Sequence, residues 1–174
     1  MIELSGIPVL ETERLVLRGP KAADADDYVS FMMSKRSEFV GGHLARDKAW
    51  RAFTTEIGHW LIRGYGMWSV TMKGDDTCIG YVGPWCPEGW PEQEIGWLVY
   101  DAAEGKGIAH EAAVAARAWA YAELGWTSAV SYIDRPNKRS IALAERLGCT
   151  RDRSAATPED DDCLVYRHPR PEDL

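Results

Sequence analysis

The sequence lacks any apolar run that approaches the roughly 20 residues of a membrane-spanning helix. Its first ten residues include Glu3, Gly6 and Pro8, which is unlike a secretory signal peptide. We therefore expect a cytoplasmic protein with no membrane partner.

Cysteine and histidine are scarce, and neither is arranged as a metal site or a disulfide framework. The four cysteines are far apart without a C-x-x-C pair, and three of them lie in or beside apolar runs. The four histidines have no metal-ligand spacing either. We expect buried free thiols and no bound metal. These residues are Cys78, Cys86, Cys149, Cys163, His43, His59, His110 and His168.

Positive charge is also in deficit, since the chain carries a formal net charge of −7. That balance argues against nucleic-acid binding, and it is compatible with attraction of a cationic amine. A length of 174 residues with 45% hydrophobic content suits one soluble domain over residues 1–174. We expect residues 169–174 to be a disordered tail, and the protein to be a monomer or a homodimer.

The periodicity of the apolar residues predicts an α/β protein with the order β–α–α–β–β–β–α–β–α–β–β. Hairpin connections make the N-terminal half of the sheet antiparallel, and a βαβ unit follows. One predicted hairpin turns at Gly74-Asp75-Asp76 before a strand over 77–83. The helix predicted over about 47–63 buries Trp50, Phe53, Ile57, Trp60 and Leu61. The helix that opens at Ile108 has a stripe of Ile108, Ala112, Ala115, Trp119 and Ala122.

The stretch from Glu94 to Ala113 carries the strongest functional signal. A buried strand ends near Tyr100, and Gly105-Lys106-Gly107 leads directly into a helix. Unpaired backbone N–H groups and the positive end of the helix dipole make such a loop an anion site, and Lys106 adds a full charge. The alternative is that the two glycines only make a tight turn.

A dinucleotide-binding fold is a second alternative, because Asp134 ends the next strand where a ribose-binding acid belongs. His110 stands at the third glycine position of that fingerprint, and only about 40 residues follow Asp134. Both features count against this alternative.

The segment Glu104-Gly-Lys-Gly-Ile-Ala109 resembles the Arg/Gln-x-x-Gly-x-Gly/Ala acetyl-CoA loop of the GNAT N-acetyltransferases, and its flanks resemble the Rim-type branch. The resemblance implies a single-domain GNAT fold that moves an acetyl group from acetyl-CoA to a primary amine, on a protein N-terminus or a small molecule. The diphosphate would bind Gly105, Lys106, Gly107, Ile108, Ala109 and His110, and the pantetheine would run beside Trp97, Leu98 and Val99. Glu104 departs from the pattern and brings a negative charge near the diphosphate.

Asn137-Lys-Arg-Ser140 resembles the Asn-x-x-Ser/Ala signature of the same family, which implies that Asn137 reaches the pantetheine. A plain helix cap is the other role open to Asn137. The tyrosine that many relatives use as an acid is replaced by Ala144, so the resemblance implies Ser140 as the acid. Ser140 could equally be an ordinary first-turn residue.

Glu94 is the best-placed carboxylate for a general base, although a solvated charge at a strand end is the alternative. The loop over 84–91 either forms a substrate wall or only pads the sheet edge. A non-catalytic acyl-CoA sensor remains the competing function.

Overall fold

The structure, a computed structural model, describes residues 5–158 and 162–174. These residues form one mixed sheet of eight strands with four α-helices. The strands are β1 Leu10–Glu11, β2 Leu15–Arg18, β3 Trp68–Met72, β4 Asp75–Trp85, β5 Glu94–Val99, β6 Val130–Asp134, β7 Thr150–Arg151 and β8 Cys163–Arg167. The helices are α1 Ala25–Met33, α2 Arg46–Arg63, α3 Ile108–Glu123 and α4 Lys138–Arg146. The sequence also predicts an acidic loop over 158–162, and most of that segment lies outside the described residues.

The sheet has the strand order β1-β2-β3-β4-β5-β6-β8-β7. Every neighbouring pair is antiparallel except β5 and β6, which are parallel and joined by the single register pair Glu94–Val130. The predicted mixed α/β fold is confirmed. The dinucleotide alternative is wrong, because that fold requires a mostly parallel sheet.

Alternate residues of β5 enter two different apolar cores, as the pleat of a strand requires. Ile95 joins the core that contains the alanine-rich face of α3, and Leu98 joins the core that contains Val29 of α1 and Phe53 of α2. Both faces of β5 are therefore covered, and the strand reads as a nearly continuous apolar run.

The predicted hairpin turn was placed too late in the chain. Gly74 turns with a φ of 84°, and Asp75 and Asp76 already belong to β4. At its other end β4 continues through Pro84, which pairs with Ile95. Proline is tolerated there because β3 begins opposite Val82, so Pro84 interrupts no ladder on that side.

The buried face of α2 also differs from the prediction. Trp50 is 57% exposed and Leu61 is 70% exposed. The face that packs inward has the helical spacing Ala49, Phe53, Glu56 and Trp60. Apolarity alone misidentified this face, because a glutamate occupies one of its inward positions.

The inward face of α3 agrees with the prediction at Ile108 and Ala112, which are buried, and differs from it further along the helix. Ala115 and Trp119 are only partly buried and Ala122 is exposed, whereas Ala113 and Ala116 are fully buried. Small side chains allow α3 to lie close to the sheet, where it contacts β2, β4 and β5.

Part of the predicted tail has regular structure, since Pro171–Asp173 forms a short 3-10 helix. Just before it, the Tyr121 hydroxyl donates a hydrogen bond to the Pro169 carbonyl at 2.8 Å. No helix in the described part of the chain is long and apolar enough to cross a membrane.

Candidate functional site

The glycine loop requires two left-handed residues. Gly105 has a φ of 72° and Gly107 a φ of 75°, a conformation that other residues adopt only with strain. Gly107 is the N-cap residue of α3, and the first bond of the helix ladder runs from Glu111 N–H to the Gly107 carbonyl. The preceding N–H groups at 108–110 have no partner in that ladder, and a helix end of this kind favours an anion.

A cleft of about 630 Å³, which we call the glycine-loop cleft, opens beside this loop. Its lining includes all but one of the residues predicted to bind the cofactor, namely Trp97, Leu98, Val99, Gly105, Gly107, Ile108, Ala109, His110 and Asn137. Lys106 is not part of this lining. Its side chain is exposed, and its carbonyl accepts a hydrogen bond from Arg14 at 3.0 Å.

One wall of the cleft is the edge of β5 that diverges from β6. The two strands share only the pair at Glu94, so residues 96–99 of β5 have no strand partner on that side among the described residues. A backbone edge of this kind can pair with an extended ligand that carries amide groups, as an added strand would. This geometry fits the pantetheine arm of a coenzyme A molecule.

Cations that the sequence analysis missed surround Glu104. Its carboxylate forms ion pairs with Arg36 and Arg139, and Arg36 also contacts Asp101 at 2.6 Å. The hydrogen bond from Arg139 is the main influence that lowers the pKa of Glu104. Arg139 follows Asn137 closely and could have been found from that motif. Arg36 comes from a short 3-10 helix without a recognisable pattern.

These cations compensate the unusual acid of the loop. Both arginines and Lys138 line the glycine-loop cleft together with Arg146. An excess of positive charge beside a helix N-terminus suits a ligand with several phosphate groups.

Asn137 and Ser140 lie at the start of α4, where their roles overlap. The Asn137 side chain accepts a hydrogen bond from the Ser140 N–H at 3.2 Å, so the capping role is present. The Ser140 hydroxyl accepts a hydrogen bond from the Trp97 indole N–H at 3.1 Å. Because the oxygen is the acceptor in that contact, its own proton remains available to another partner.

A second cavity of about 390 Å³, which we call the carboxylate cavity, adjoins the cleft. Ser140, Asn137 and Trp97 belong to the linings of both spaces. Any groups bound in the two spaces would therefore meet at the start of α4.

Glu94 lies in the carboxylate cavity and is only 9% exposed. It accepts hydrogen bonds from the Trp90 indole N–H at 2.7 Å and from the Tyr132 N–H at 3.3 Å. The carboxylate is thus fixed within a wall and is not a solvated charge at the end of a strand.

The tryptophan-containing loop contributes to the same wall. Trp85 and Trp90 both line the carboxylate cavity. The ring of His59 stacks on Trp85 with centroids 4.4 Å apart, and His59 Nε2 accepts a hydrogen bond from Cys86 N–H at 3.0 Å. These contacts hold the start of the loop against α2.

Glu56 is a second buried carboxyl group in this cavity, and no motif in the sequence points to it. It is 5% exposed and accepts a hydrogen bond from the Tyr28 hydroxyl at 3.1 Å. Burial raises the pKa of Glu56 to about 7.

The cysteines are unsuited to a covalent role. None of the four forms a disulfide, and none lines either space. Burial raises the pKa of Cys78 to about 11 and that of Cys149 to about 12, so these thiols carry little thiolate at neutral pH.

Comparisons with known proteins agree with this geometry. Residues 14–150 match the family model of the acetyltransferase (GNAT) domain. An acetyltransferase from Agrobacterium tumefaciens is 39% identical with a TM-score of 0.90, and the match covers 98% of this chain and 99% of that one. A structure described as a GNAT-family acetyltransferase from Bordetella pertussis is 27% identical with a TM-score of 0.76, over 93% and 99% of the two chains.

The ribosomal-protein acetyltransferase RimL, solved in complex with coenzyme A, has a TM-score of 0.68 at 17% identity, over 92% of this chain and 96% of that one. At that identity the likeness extends to the fold alone. The family model, in contrast, spans most of this chain and includes the glycine loop, β5 and the start of α4. The chain therefore belongs to the GNAT acetyltransferase family and is an acetyl-CoA-dependent acyltransferase.

Proposed function

We propose that this protein is an N-acetyltransferase that moves the acetyl group of acetyl-CoA directly to a primary amine. The observation that carries the proposal is the junction at Ser140, Asn137 and Trp97, where the glycine-loop cleft meets the carboxylate cavity. The cleft suits a polyphosphate ligand, and the cavity suits an amine.

Different residues of the cleft would bind different parts of acetyl-CoA. The N–H groups at 108–110, together with Arg36 and Arg139, would hold the phosphates, because they combine a helix N-terminus with two guanidinium groups. The free edge of β5 and the amide of Asn137 would hold the pantetheine. These contacts direct the thioester toward Ser140.

Glu94 is the proposed general base. The acceptor must be a neutral amine to attack, so a proton leaves its nitrogen as the new C–N bond forms and the C–S bond breaks. A carboxylate that is already fixed by Trp90 and Tyr132 can receive that proton directly or through water.

Ser140 is the proposed acid toward the leaving sulfur. Its hydroxyl oxygen accepts from Trp97, which leaves the hydroxyl proton free to reach the departing thiolate. Serine thus fills the role for which Ala144 offers no functional group. Since no cysteine lines either cavity, the transfer needs no acetyl-enzyme.

A Glu94→Gln variant tests the proposal together with an acceptor screen. The wild type should release coenzyme A in the presence of primary amines and not in the presence of alcohols or thiols of equal length. Glu94→Gln should lower kcat by about 10²–10⁴-fold with little change in acetyl-CoA affinity. Turnover confined to alcohols or thiols contradicts the amine assignment.

The competing function is a non-catalytic acyl-CoA sensor. Calorimetric titration with acetyl-CoA and with free coenzyme A distinguishes it from an enzyme. Tight binding without release of coenzyme A across a broad amine panel would favour the sensor.

A further inference from the structure

Glu56 is a buried acidic residue on the inward face of α2, and it lines the carboxylate cavity. Its Oε1 accepts the hydrogen bond from Tyr28, but its Oε2 has no hydrogen-bond partner in the described structure. The mechanism proposed around Glu94 and the glycine-loop cleft gives this carboxyl group no role.

A buried carboxylate without a second partner opposes folding, so its presence calls for a functional reason. Removing an ionised carboxylate from water without a counter-charge is strongly unfavourable, and a glutamine of the same shape would avoid that penalty. The single hydrogen bond from Tyr28 satisfies one of the two oxygens. A cation that enters the cavity would satisfy the other.

The charges of the cavity wall are all of one sign. Its lining contains the acidic residues Glu56, Glu94 and Asp134, and the described lining residues include no lysine, arginine or histidine. A ligand that carries a carboxylate or phosphate would find no positive partner there. This composition disfavours amino acids as acceptors.

The remainder of the wall is aromatic and apolar. Tyr28, Trp85 and Trp90 line the cavity beside apolar residues such as Met32 and Leu44. Aromatic faces attract ammonium groups, and an apolar wall suits a methylene chain. The cavity thus combines a place for positive charge with a place for a hydrocarbon spacer.

We propose that the acceptor is an aliphatic diamine without a carboxylate, whose second ammonium group binds Glu56 while its reacting amine lies toward Ser140 and Glu94. This assignment rests on the proposed N-acetyltransferase function, and it specifies the substrate class. Acetylation consumes one of the two amines and releases coenzyme A. The distal ammonium stays charged and binds without reacting.

The test compares acceptors that share one carbon skeleton. 1,5-Diaminopentane carries two amines, n-pentylamine carries one, and L-lysine adds a carboxylate to the diamine. For the wild type, kcat/KM should be at least about tenfold higher for the diamine than for either other amine. The monoamine has no ammonium group for Glu56, and the carboxylate of L-lysine faces the acidic wall.

Glu56→Gln should reduce the ratio of kcat/KM for diamine over monoamine to near one. Glutamine keeps an acceptor for the Tyr28 hydroxyl, so the variant removes the charge with little change of shape. Glu123→Gln is the matched control, because it makes the same charge change at an exposed position at the end of α3, outside both linings, and should leave the ratio unaltered. Thermal unfolding of both variants establishes that they are folded.

Binding measured without turnover separates this inference from the proposed function. Calorimetry in the presence of free coenzyme A should give diamine affinity about tenfold weaker for Glu56→Gln than for wild type, and this result supports the Glu56 site even if no acetyl transfer is found. Equal diamine affinity in the two proteins overturns the proposal. So does an equal fall in kcat for both amines with an unchanged ratio, which would make Glu56 a proton-transfer group.

Discussion

At the scale of single residues, the chemistry of the site depends on which atoms are already engaged. Trp97 donates to the Ser140 oxygen at 3.1 Å, and Trp90 donates to Glu94 at 2.7 Å. The two tryptophans thus orient the proposed acid and the proposed base separately. A side chain that is fixed before the substrate arrives loses less entropy in the transition state.

Replacing Ser140 with alanine tests the proposed acid. We expect kcat to fall by about 10²–10⁴-fold, the usual contribution of a positioned proton donor. The affinity for acetyl-CoA should change little, because Asn137 and the glycine loop remain. Stopped-flow measurement of coenzyme A release gives kcat, and calorimetry gives the affinity. A near-normal kcat over the whole pH range would remove Ser140 from the mechanism.

Glu104 is the residue whose charge conflicts with the expected ligand. Its carboxylate forms ion pairs with Arg36 and Arg139, so those guanidinium groups are partly engaged by the protein itself. Glu104→Gln should release both and raise acetyl-CoA affinity by up to about fivefold, since exposed charge interactions reach only about 1 kcal/mol.

The gain from Glu104→Gln should shrink in high salt, where screening weakens exposed pairs. Titrations with acetyl-CoA at low and high ionic strength measure this gain in affinity. Glu88→Gln is the control, because it makes the same charge change at a fully exposed side chain. A weaker affinity in the Glu104→Gln protein would mean that Glu104 orients the arginines for the ligand and does not compete with it.

At the scale of elements, the loop between β5 and α3 is defined by backbone conformation. Gly107 has a φ of 75°, and a Cβ added there would meet only Arg14 Nη2 at 3.5 Å. The protein itself therefore leaves room for a small side chain. A ligand that approaches the backbone closely would not.

Gly107→Ala should weaken acetyl-CoA binding by about tenfold, or about 1.4 kcal/mol. Gly64→Ala is a matched control, because Gly64 has a φ of 76° at the end of α2 with open space around it. Both variants should lose about 1–2 kcal/mol of stability from the left-handed conformation. Only Gly107→Ala should lose affinity, and equal affinities in the two would contradict the loop assignment.

The elements that local patterns define were predicted well, and those that depend on tertiary contacts were not. The β5–loop–α3 unit follows from an apolar strand, two glycines and a run of alanines that are adjacent in sequence. Phe53 and Trp60 of the predicted α2 face are buried, but the other inward positions were missed because Glu56 and His59 occupy places where apolarity is expected. Their partners are Tyr28 on α1 and Tyr65 in the connection after α2, so no pattern within the helix reveals them.

The same distinction applies to the site. Glu94, Asn137 and Ser140 could be selected from motifs, whereas Arg36 and Glu56 reach the two cavities only through folding. Lys106 is the opposite case, a residue that the motif selects and the cleft does not include. Its position in the loop predicts a phosphate contact, but its side chain does not line the cleft.

At the scale of the whole molecule, the free energy of unfolding depends on pH because some buried groups resist ionisation. Burial lowers the pKa of His168 to about 3, and its ring contacts the Ser131 hydroxyl oxygen at 3.0 Å between β6 and β8. A histidine with a depressed pKa destabilises the fold as pH falls below its unfolded value of about 6.5. Glu56 has the opposite tendency.

The raised pKa of Glu56, about 7 in the folded state, predicts how its stability contribution changes with pH. An unfolded glutamate titrates near about 4.3, so between that value and 7 the folded state binds the proton more tightly. The contribution of Glu56 to the free energy of unfolding is therefore fully present below the unfolded pKa. It is lost as pH rises through the folded pKa. Glu56→Gln cannot ionise and escapes this loss.

The free energy of unfolding of Glu56→Gln should exceed that of wild type at pH 8 by up to about 3 kcal/mol, and the difference should nearly vanish at pH 4, where both side chains are neutral. Urea unfolding at several pH values measures the difference, and because the contribution of His168 is common to both proteins, it cancels. A constant offset between wild type and Glu56→Gln from pH 4 to 8 would show that Glu56 titrates normally. In that case the carboxyl group has a counter-charge in the folded protein. Glu56 would then not be available to bind the ammonium group of an acceptor.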